Sequence, residues 1–358
     1  MSKLNFGSSI TLKQFADAIV TVGKEVTIIG QGEMGIGKSS VLKTVSKMMP
    51  EYNTAYIDCT LLDLGDFALP YTKDETKMKV TKFAPNARFK MHEDKPVIVM
   101  LDEIGKAMKS VKNVLLTLML EHRIGDHYLP EGSIVFGTTN LMSEGVGDLM
   151  EAHARNRVCF VTIAKSEADE WIENYAVPNN LDPTVIAWVK QFPHCLASFT
   201  DPSQRENPYI NNPSRAGQTA FVTPRSLEKA SKVANMRNVL GEAVTISMLT
   251  GIIGESASRD MQSFFTVADK LPSWDVIMKS PETTALPSDT VAKCILVFSA
   301  LSRVENDTLS KWMKYVKRMD MEWQALFAKS LVSSPLKQSM AFSNGDFKSW
   351  ALTNQWLF

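Results

Sequence analysis

The chain has 358 residues, 44% of them hydrophobic, which is enough for two or three domains with sizeable cores. Thirty-nine basic and thirty-nine acidic side chains cancel, which excludes a general attraction to nucleic acid or to an anionic membrane. Four widely spaced cysteines indicate neither a zinc site nor a disulfide framework, and the sequence shows neither a signal-peptide pattern nor an apolar run of membrane-spanning length, so we expect a soluble, cytoplasmic protein.

A glycine-rich loop follows the first predicted strand. Helical spacing of apolar residues predicts a helix over 11–23, and a β-branched run predicts a strand over 26–29. The next residues, GEMGIGKS at 32–39, fit the pattern glycine, any four residues, glycine, lysine and serine or threonine. A helical pattern comes directly after the loop. Because glycines allow backbone N–H groups to surround a polyphosphate at a helix start, we predict a nucleotide-binding loop.

The lysine and the serine of this loop have separate predicted roles. Lys38 is expected to reach the β- and γ-phosphates of ATP, and the Ser39 hydroxyl is expected to reach Mg²⁺. The predicted nucleotide-binding residues are Gly32, Glu33, Met34, Gly35, Ile36, Gly37, Lys38, Ser39 and Ser40.

A second strand is predicted over 54–59, and 71–95 is predicted to be an irregular polar segment. Between positions 73 and 90 this segment has six basic and two acidic side chains. It is interpreted either as a solvated basic loop or as a surface that grips a substrate.

Two carboxylates end the next predicted strand. The apolar run 97–101 has the composition of a strand buried on both faces of a parallel sheet. Ligands of such sheets bind at the carboxyl ends of the strands. Asp102 is therefore expected to hold Mg²⁺ directly or through water, and Glu103 is expected to act as the general base that polarises the attacking water.

The same pattern recurs after a predicted amphipathic helix over 111–121. A buried strand over 133–139 ends at Asn140, whose amide is expected to contact the attacking water or the γ-phosphate. A short helix over 149–154 and a last strand over 158–163 follow. This alternation predicts an α/β fold, a P-loop NTPase core with a parallel sheet and crossover helices.

Helical periodicity continues to the end of the chain after the strands stop near Lys165. We predict a nucleotide-binding core over 1–164, a helical lid over 165–285 and a C-terminal helical module over 286–358. The last residues contain Trp350 and Trp356. These aromatic side chains are expected to need burial within the subunit, against a neighbour or in a partner.

Six segments together resemble the AAA+ ATPases, and most closely their MoxR group. The resemblance extends over about residues 15–265. The segments are GEMGIGKSS (32–40), VMLDEIGKA (99–107), LLTLMLEHRIGDHYLP (115–130), GTTN (137–140), ARNRV (154–158) and TPRSLEKAS (223–231).

The resemblance implies roles for individual residues. It places Ser39 and Asp102 at the magnesium, Glu103 as the base and Asn140 as the first sensor. It makes Arg225 the second sensor, in the lid. Arg157 is implied as the finger presented to the γ-phosphate of a neighbouring subunit, with Arg155 as the competing candidate. Val158 stands where the family usually has phenylalanine after the finger.

The resemblance also implies an activity and partners. We expect Mg²⁺-dependent ATP hydrolysis by a ring, expected to be a hexamer, that remodels or assembles a partner protein. A von Willebrand-type partner would act in trans, because its metal-ion adhesion pattern is not found in this chain. One alternative is a nucleic-acid motor or loader that uses segment 73–90. Another is a nucleotide-gated scaffold with slow hydrolysis.

Overall fold

The structure, a computed structural model, describes residues 9–141, 156–215 and 217–357. Contacts divide the chain into two compact units, Met1–Lys165 and Ser166–Phe358. The helix predicted over 149–154 and the candidate Arg155 lie outside the described residues.

The first unit contains a five-stranded parallel sheet, with the strand order β2 (Asn53–Asp58), β5 (Val97–Asp102), β8 (Ile134–Thr139), β1 (Ile28–Gln31) and β9 (Cys159–Thr162). β5 and β8 are buried throughout, because each has a neighbouring strand on either side and apolar side chains packed against both of its faces. The predicted α/β fold with a parallel sheet is confirmed.

One helix precedes β1, and two others connect β1 to β2 and β5 to β8 as crossover helices. The first begins at a capping box, in which Thr11 and Gln14 satisfy each other's backbone N–H groups. Apolar side chains on the two faces of the sheet form two separate clusters. In the described residues of the first unit the α-helices are α1 (Leu12–Val22), α2 (Val41–Met48) and α3 (Lys109–Glu121).

Residues 71–85 of the segment predicted to be irregular are instead part of an antiparallel hairpin. Strands β3 (Ala68–Glu75) and β4 (Met78–Pro85) pair along their whole length, and Thr76 turns the chain with φ of 51°. The prediction was wrong because the basic side chains were given more weight than the β-branched and aromatic residues between them. A second, short hairpin consists of β6 (Arg123–Ile124) and β7 (His127–Tyr128).

In its described residues the second unit is helical. The chain enters α6 through a capping box at Thr223 with Pro224 in the first turn, where its missing N–H is not needed. The helices are α4 (Ala168–Trp171), α5 (Pro183–Gln191), α6 (Pro224–Asn235), α7 (Arg237–Leu240), α8 (Glu242–Ile253), α9 (Glu255–Ala268), α10 (Trp274–Lys279), α11 (Thr290–Arg303), α12 (Leu309–Val316), α13 (Met321–Ser333), α14 (Pro335–Ser343) and α15 (Gly345–Thr353).

One hydrophobic cluster runs through this second unit. It contains buried residues from both sides of position 286, and α11 packs against α5. The predicted division into a lid and a C-terminal module therefore lies inside one packed unit, and it stays a prediction. Trp350 is buried in this cluster, whereas Trp356 is 73% exposed. Across the described residues, no helix has both the length and the apolar composition needed to cross a membrane.

Candidate active site

The loop between β1 and α2 has the backbone shape that its glycines predict. Gly35 and Gly37 have φ of 74° and 107°, values that side chains with a Cβ rarely adopt. A Cβ on Gly32 would lie 2.9 Å from the carbonyl oxygen of Ile163, so a larger residue has no room there. Lys38–Ser40 then form a 3-10 turn that continues into α2. This loop and helix start suit a polyphosphate.

Lys38 connects the loop to the end of β8. Its ammonium donates to the carbonyl oxygens of Gly32 at 2.7 Å and Glu33 at 2.8 Å, and to Asn140 Oδ1 at 2.8 Å. The residue is 5% exposed, so these contacts replace the water that a charged group requires. The Glu33 carboxylate, also buried, lies 3.9 Å from Lys165 Nζ. Lys38 is thus held between the loop and the predicted first sensor.

The carboxylate of Asp102 accepts hydrogen bonds from three hydroxyl groups, each in a different part of the fold. Ser39 and Tyr56 donate to Oδ2 at 2.7 and 2.8 Å, and Thr138 donates to Oδ1. Asp102 is 4% exposed. Burial, followed by the bond to Asp102, raises the pKa of Tyr56, which keeps this hydroxyl protonated as a donor. The arrangement fixes both oxygens of the carboxylate beside the phosphate loop.

Glu103 begins a turn in the left-handed region, with φ of 57°. A non-glycine residue is rarely held there, and such strain is common at functional sites. Its Oε2 accepts from Asn140 Nδ2 at 3.2 Å and lies 3.0 Å from Lys106 Nζ. Because Asn140 also accepts from Lys38, one chain of contacts links the phosphate-binding lysine to the predicted base.

These groups are chemically suited to a magnesium nucleotide. Mg²⁺ prefers oxygen ligands and usually takes one or two from the protein, with phosphates and water supplying the rest. Ser39 and Asp102 supply a hydroxyl and a carboxylate oxygen next to the loop. Among the described residues no three His, Cys, Asp or Glu side chains cluster as a metal cage, so a cation would depend on these oxygens together with a nucleotide.

Of the predicted arginines, Arg157 lies away from this group within the first unit. Arg157 is exposed and comes just before β9, whose first residue pairs with Ile28 at the start of β1. It is therefore at the amino-terminal edge of the sheet, whereas the phosphate loop follows the carboxyl-terminal edge. Together with Lys24 and others, it lines a cleft of ≈ 340 Å³. Arg225 is exposed in the first turn of α6, in the second unit.

Sequence reasoning missed three contacts in the site: those of Tyr56, Thr138 and Lys106. Thr138 could have been found, because it precedes Asn140 by two residues on the same strand end. Lys106 follows Glu103 by three residues and meets it only because a 3-10 turn begins there. Tyr56 has no sequence signal, since its contact depends on the pairing of β2 with β5.

A comparison with protein-family models matches residues 28–162 to AAA, the ATPase family associated with various cellular activities. Residues 28–162 are an AAA ATPase domain. The AAA domain extends from the first residue of β1 to the last residue of β9, so it includes the phosphate loop, both carboxylates and Asn140. The chain accordingly binds ATP and hydrolyses it, as expected from the sequence.

Solved structures give weaker likenesses. A single-residue variant of RuvB from Thermotoga maritima is 16% identical, with a TM-score of 0.40, over 86% of this chain and 85% of that chain. A protein from Cytophaga hutchinsonii described as a candidate ATPase is 14% identical, with a TM-score of 0.33, over 73% of this chain and 89% of that chain. Scores this low carry no argument about function. No curated protein matches the chain.

Proposed function

We propose that the AAA domain hydrolyses ATP with Mg²⁺ in a ring of subunits, each site being completed by a neighbour's arginine. The observation that carries this proposal is the set of contacts among Lys38, Asn140 and Glu103 next to the Ser39–Asp102 pair. A phosphate-binding lysine, a sensing amide and a general base in one chain of contacts are suited to hydrolysis, whereas simple nucleotide binding needs no base.

The individual roles follow from these positions. Bound Mg²⁺ would neutralise charge on the phosphates, and Ser39 and Asp102 would hold it. Lys38 would exchange its contacts with loop carbonyls for the β- and γ-phosphates. Asn140 would then orient the attacking water, and Glu103 would accept its proton. Because Glu103 Oε2 accepts a hydrogen bond from Asn140, a movement of the Asn140 side chain would also move the Glu103 carboxylate.

The position of Arg157 supports a site shared between subunits. It is at the edge of the sheet opposite its own phosphate loop, and β1 alone spans about 13 Å between these edges. A side chain so placed is suited to reach another subunit's γ-phosphate. Its guanidinium would neutralise charge in the transition state, which in phosphoryl transfer accelerates turnover by about 10³- to 10⁵-fold. We further assign Arg225 as the second sensor. We propose that the ring is a hexamer.

The test mixes two inactive variants. Lys38→Ala subunits lack the phosphate contact but present Arg157, and Arg157→Ala subunits have a complete loop but no finger. We expect each variant alone to lose at least about 10³-fold in turnover, and the mixture to regain part of it at mixed interfaces. Lys38→Ala mixed with Glu103→Gln is the control. It should stay inactive, because each subunit then has a defect in its own nucleotide site that a neighbour's arginine cannot repair. A mixture without recovery, in variants that still assemble, contradicts the shared site.

We propose that the cycle remodels or assembles a partner protein, as the MoxR resemblance implies, with a von Willebrand-type protein in trans as one partner class. The hairpin β3–β4 is the element we assign to partner contact, because Leu69, Tyr71 and Met78 are exposed along it. Capture of a protein by the Glu103→Gln variant in the presence of ATP tests this. If none of the captured proteins changes the rate of ATP hydrolysis, the nucleotide-gated scaffold is favoured instead.

The hairpin also supports a second candidate, a nucleic-acid motor or loader. Tyr71 is paired with Lys82, and Lys73 with Val80, so these basic and aromatic side chains share one face. Such surfaces bind single-stranded nucleic acid by stacking and charge. ATP hydrolysis stimulated by single-stranded DNA, and lost steeply between about 50 and 200 mM salt, would support this candidate over the first.

A further inference from the structure

Tyr56 is the residue through which the edge strand β2 contacts the Asp102 carboxylate. Its hydroxyl donates to Oδ2 at 2.8 Å, although 51% of the residue is exposed. In the sheet, Tyr56 is paired with Met100, and Asp102 lies two residues further along β5 on the same face. The ring therefore lies along the sheet surface toward the phosphate loop, and its hydroxyl reaches the carboxylate diagonally.

The three donors to Asp102 are not equivalent. The Ser39 hydroxyl oxygen is itself an assigned ligand of Mg²⁺, so its contact with Oδ2 depends on how the cation is bound. Thr138 holds the other oxygen, Oδ1. Tyr56 also holds Oδ2, but it belongs to the edge strand β2 and is not an assigned Mg²⁺ ligand. Its bond to Asp102 can therefore persist when Ser39 binds the cation.

We propose that Tyr56 is a positioning residue that orients Asp102 for the magnesium nucleotide. This inference rests on the proposed function, since it assigns Asp102 to the cation. Groups that hydrogen-bond a metal-ligating side chain typically change metal affinity or activity 10- to 100-fold when they are removed. Because Tyr56 is half exposed and Thr138 still holds Oδ1, we expect the lower end of this range.

A purely structural role makes a different prediction. If the ring only covers the edge of the sheet above Met100, phenylalanine fills the same space and the response to Mg²⁺ stays the same. If the hydroxyl positions Asp102, Tyr56→Phe lowers the affinity for Mg²⁺ in the presence of nucleotide, while packing and the affinity for nucleotide without Mg²⁺ stay the same. The Tyr56→Phe substitution therefore distinguishes the two roles, because it removes only the hydroxyl group.

The experiment uses the full chain with Glu103→Gln as the parent, so that nucleotide stays intact. The affinity for a fluorescent ATP analogue is measured at increasing Mg²⁺, and again in EDTA. For Tyr56→Phe we expect the half-saturating Mg²⁺ concentration to rise about tenfold. The affinity in EDTA and the thermal midpoint should not change. Tyr128→Phe, another exposed tyrosine in the same unit, is the matched control and should behave as the parent.

Two outcomes separate this inference from the function on which it rests. An unchanged or lower half-saturating Mg²⁺ concentration in Tyr56→Phe, with clear Mg²⁺ dependence in the parent, overturns the role of Tyr56 alone. A parent that binds the nucleotide equally with and without Mg²⁺ overturns the proposed magnesium site, and with it the reason for assigning Tyr56 at all.

Discussion

The two units of this chain bury charge in different ways. In the described part of the first unit, the buried charged residues Glu33, Lys38 and Asp102 are in the phosphate loop or end the strand beside it. In the second unit, described residues include one such side chain, Asp182, which accepts from the Thr184 N–H at 2.8 Å at the start of α5. Burial raises the pKa of Asp182. Charge is thus concentrated for chemistry in one unit and used to cap a helix in the other.

Their cores differ in the same sense. Aliphatic side chains of the sheet strands dominate the core of the first unit, so polar groups can stand in register where those strands end. The second unit packs helices around large aromatic rings, among them Trp312, which contacts Trp274 and Phe327. In the first unit the strand ends fix the positions of the candidate site residues, whereas the helix packing of the second unit supplies stability and surface.

The largest expected effect concerns the chemistry of the first unit. Glu103→Gln should retain ATP binding but reduce turnover by about 10² to 10⁴, because an amide cannot accept the proton of the attacking water. Turnover is measured by phosphate release and binding by titration. Glu131→Gln makes the same chemical change at an exposed position before β8 and should leave turnover unchanged. Equal turnover in wild type and Glu103→Gln would remove Glu103 as the base.

A matched pair of tryptophans tests the packing of the second unit. Trp350→Ala removes a ring from the core, together with the bond from its Nε1 to Gln324 Oε1 at 2.7 Å. It should lower the free energy of unfolding by about 3 to 5 kcal/mol. Trp356→Ala, at an exposed position, should change it by less than about 0.5 kcal/mol. Denaturant unfolding measures both, and equal losses would show that Trp356 is also packed.

The same pair bears on the role of the chain end. Among the described residues of the chain end, Trp356 is exposed and could contact a neighbour or a partner, whereas Trp350 is packed within its own unit. If the tail docks, Trp356→Ala should weaken assembly or partner capture while ATP binding is retained. Sedimentation at several protein concentrations measures the assembly.

The smallest expected effect concerns the hairpin of the first unit. Lys73→Glu combined with Lys79→Glu should leave basal turnover within about twofold and the free energy of unfolding within about 0.5 kcal/mol, because both side chains are exposed. Phe89→Ala, at the base of the hairpin, should cost about 3 to 5 kcal/mol, since Phe89 is buried and stacked on Phe67 at 5.5 Å. A large loss in the lysine variant would show that the hairpin is packed.

The parallel sheet and the candidate site residues could be predicted because they depend on local patterns. A buried apolar run that ends in polar residues indicates both a strand and a candidate functional end, and on this basis Asp102, Glu103 and Asn140 are assigned to the site. The hairpin was missed because its alternation of apolar and polar residues is interrupted by lysines. Its pairing, once formed, satisfies the backbone of both strands.

The phosphate loop, the five strands of the parallel sheet and the AAA match of residues 28–162 follow from the sequence alone, because each depends on residues close together in the chain. Which hydroxyls surround Asp102, that Lys38 contacts Asn140 and that helices on both sides of position 286 share one core became known from the tertiary structure. These contacts join residues far apart in sequence, and their geometry follows from strand register and helix packing, which no local pattern encodes.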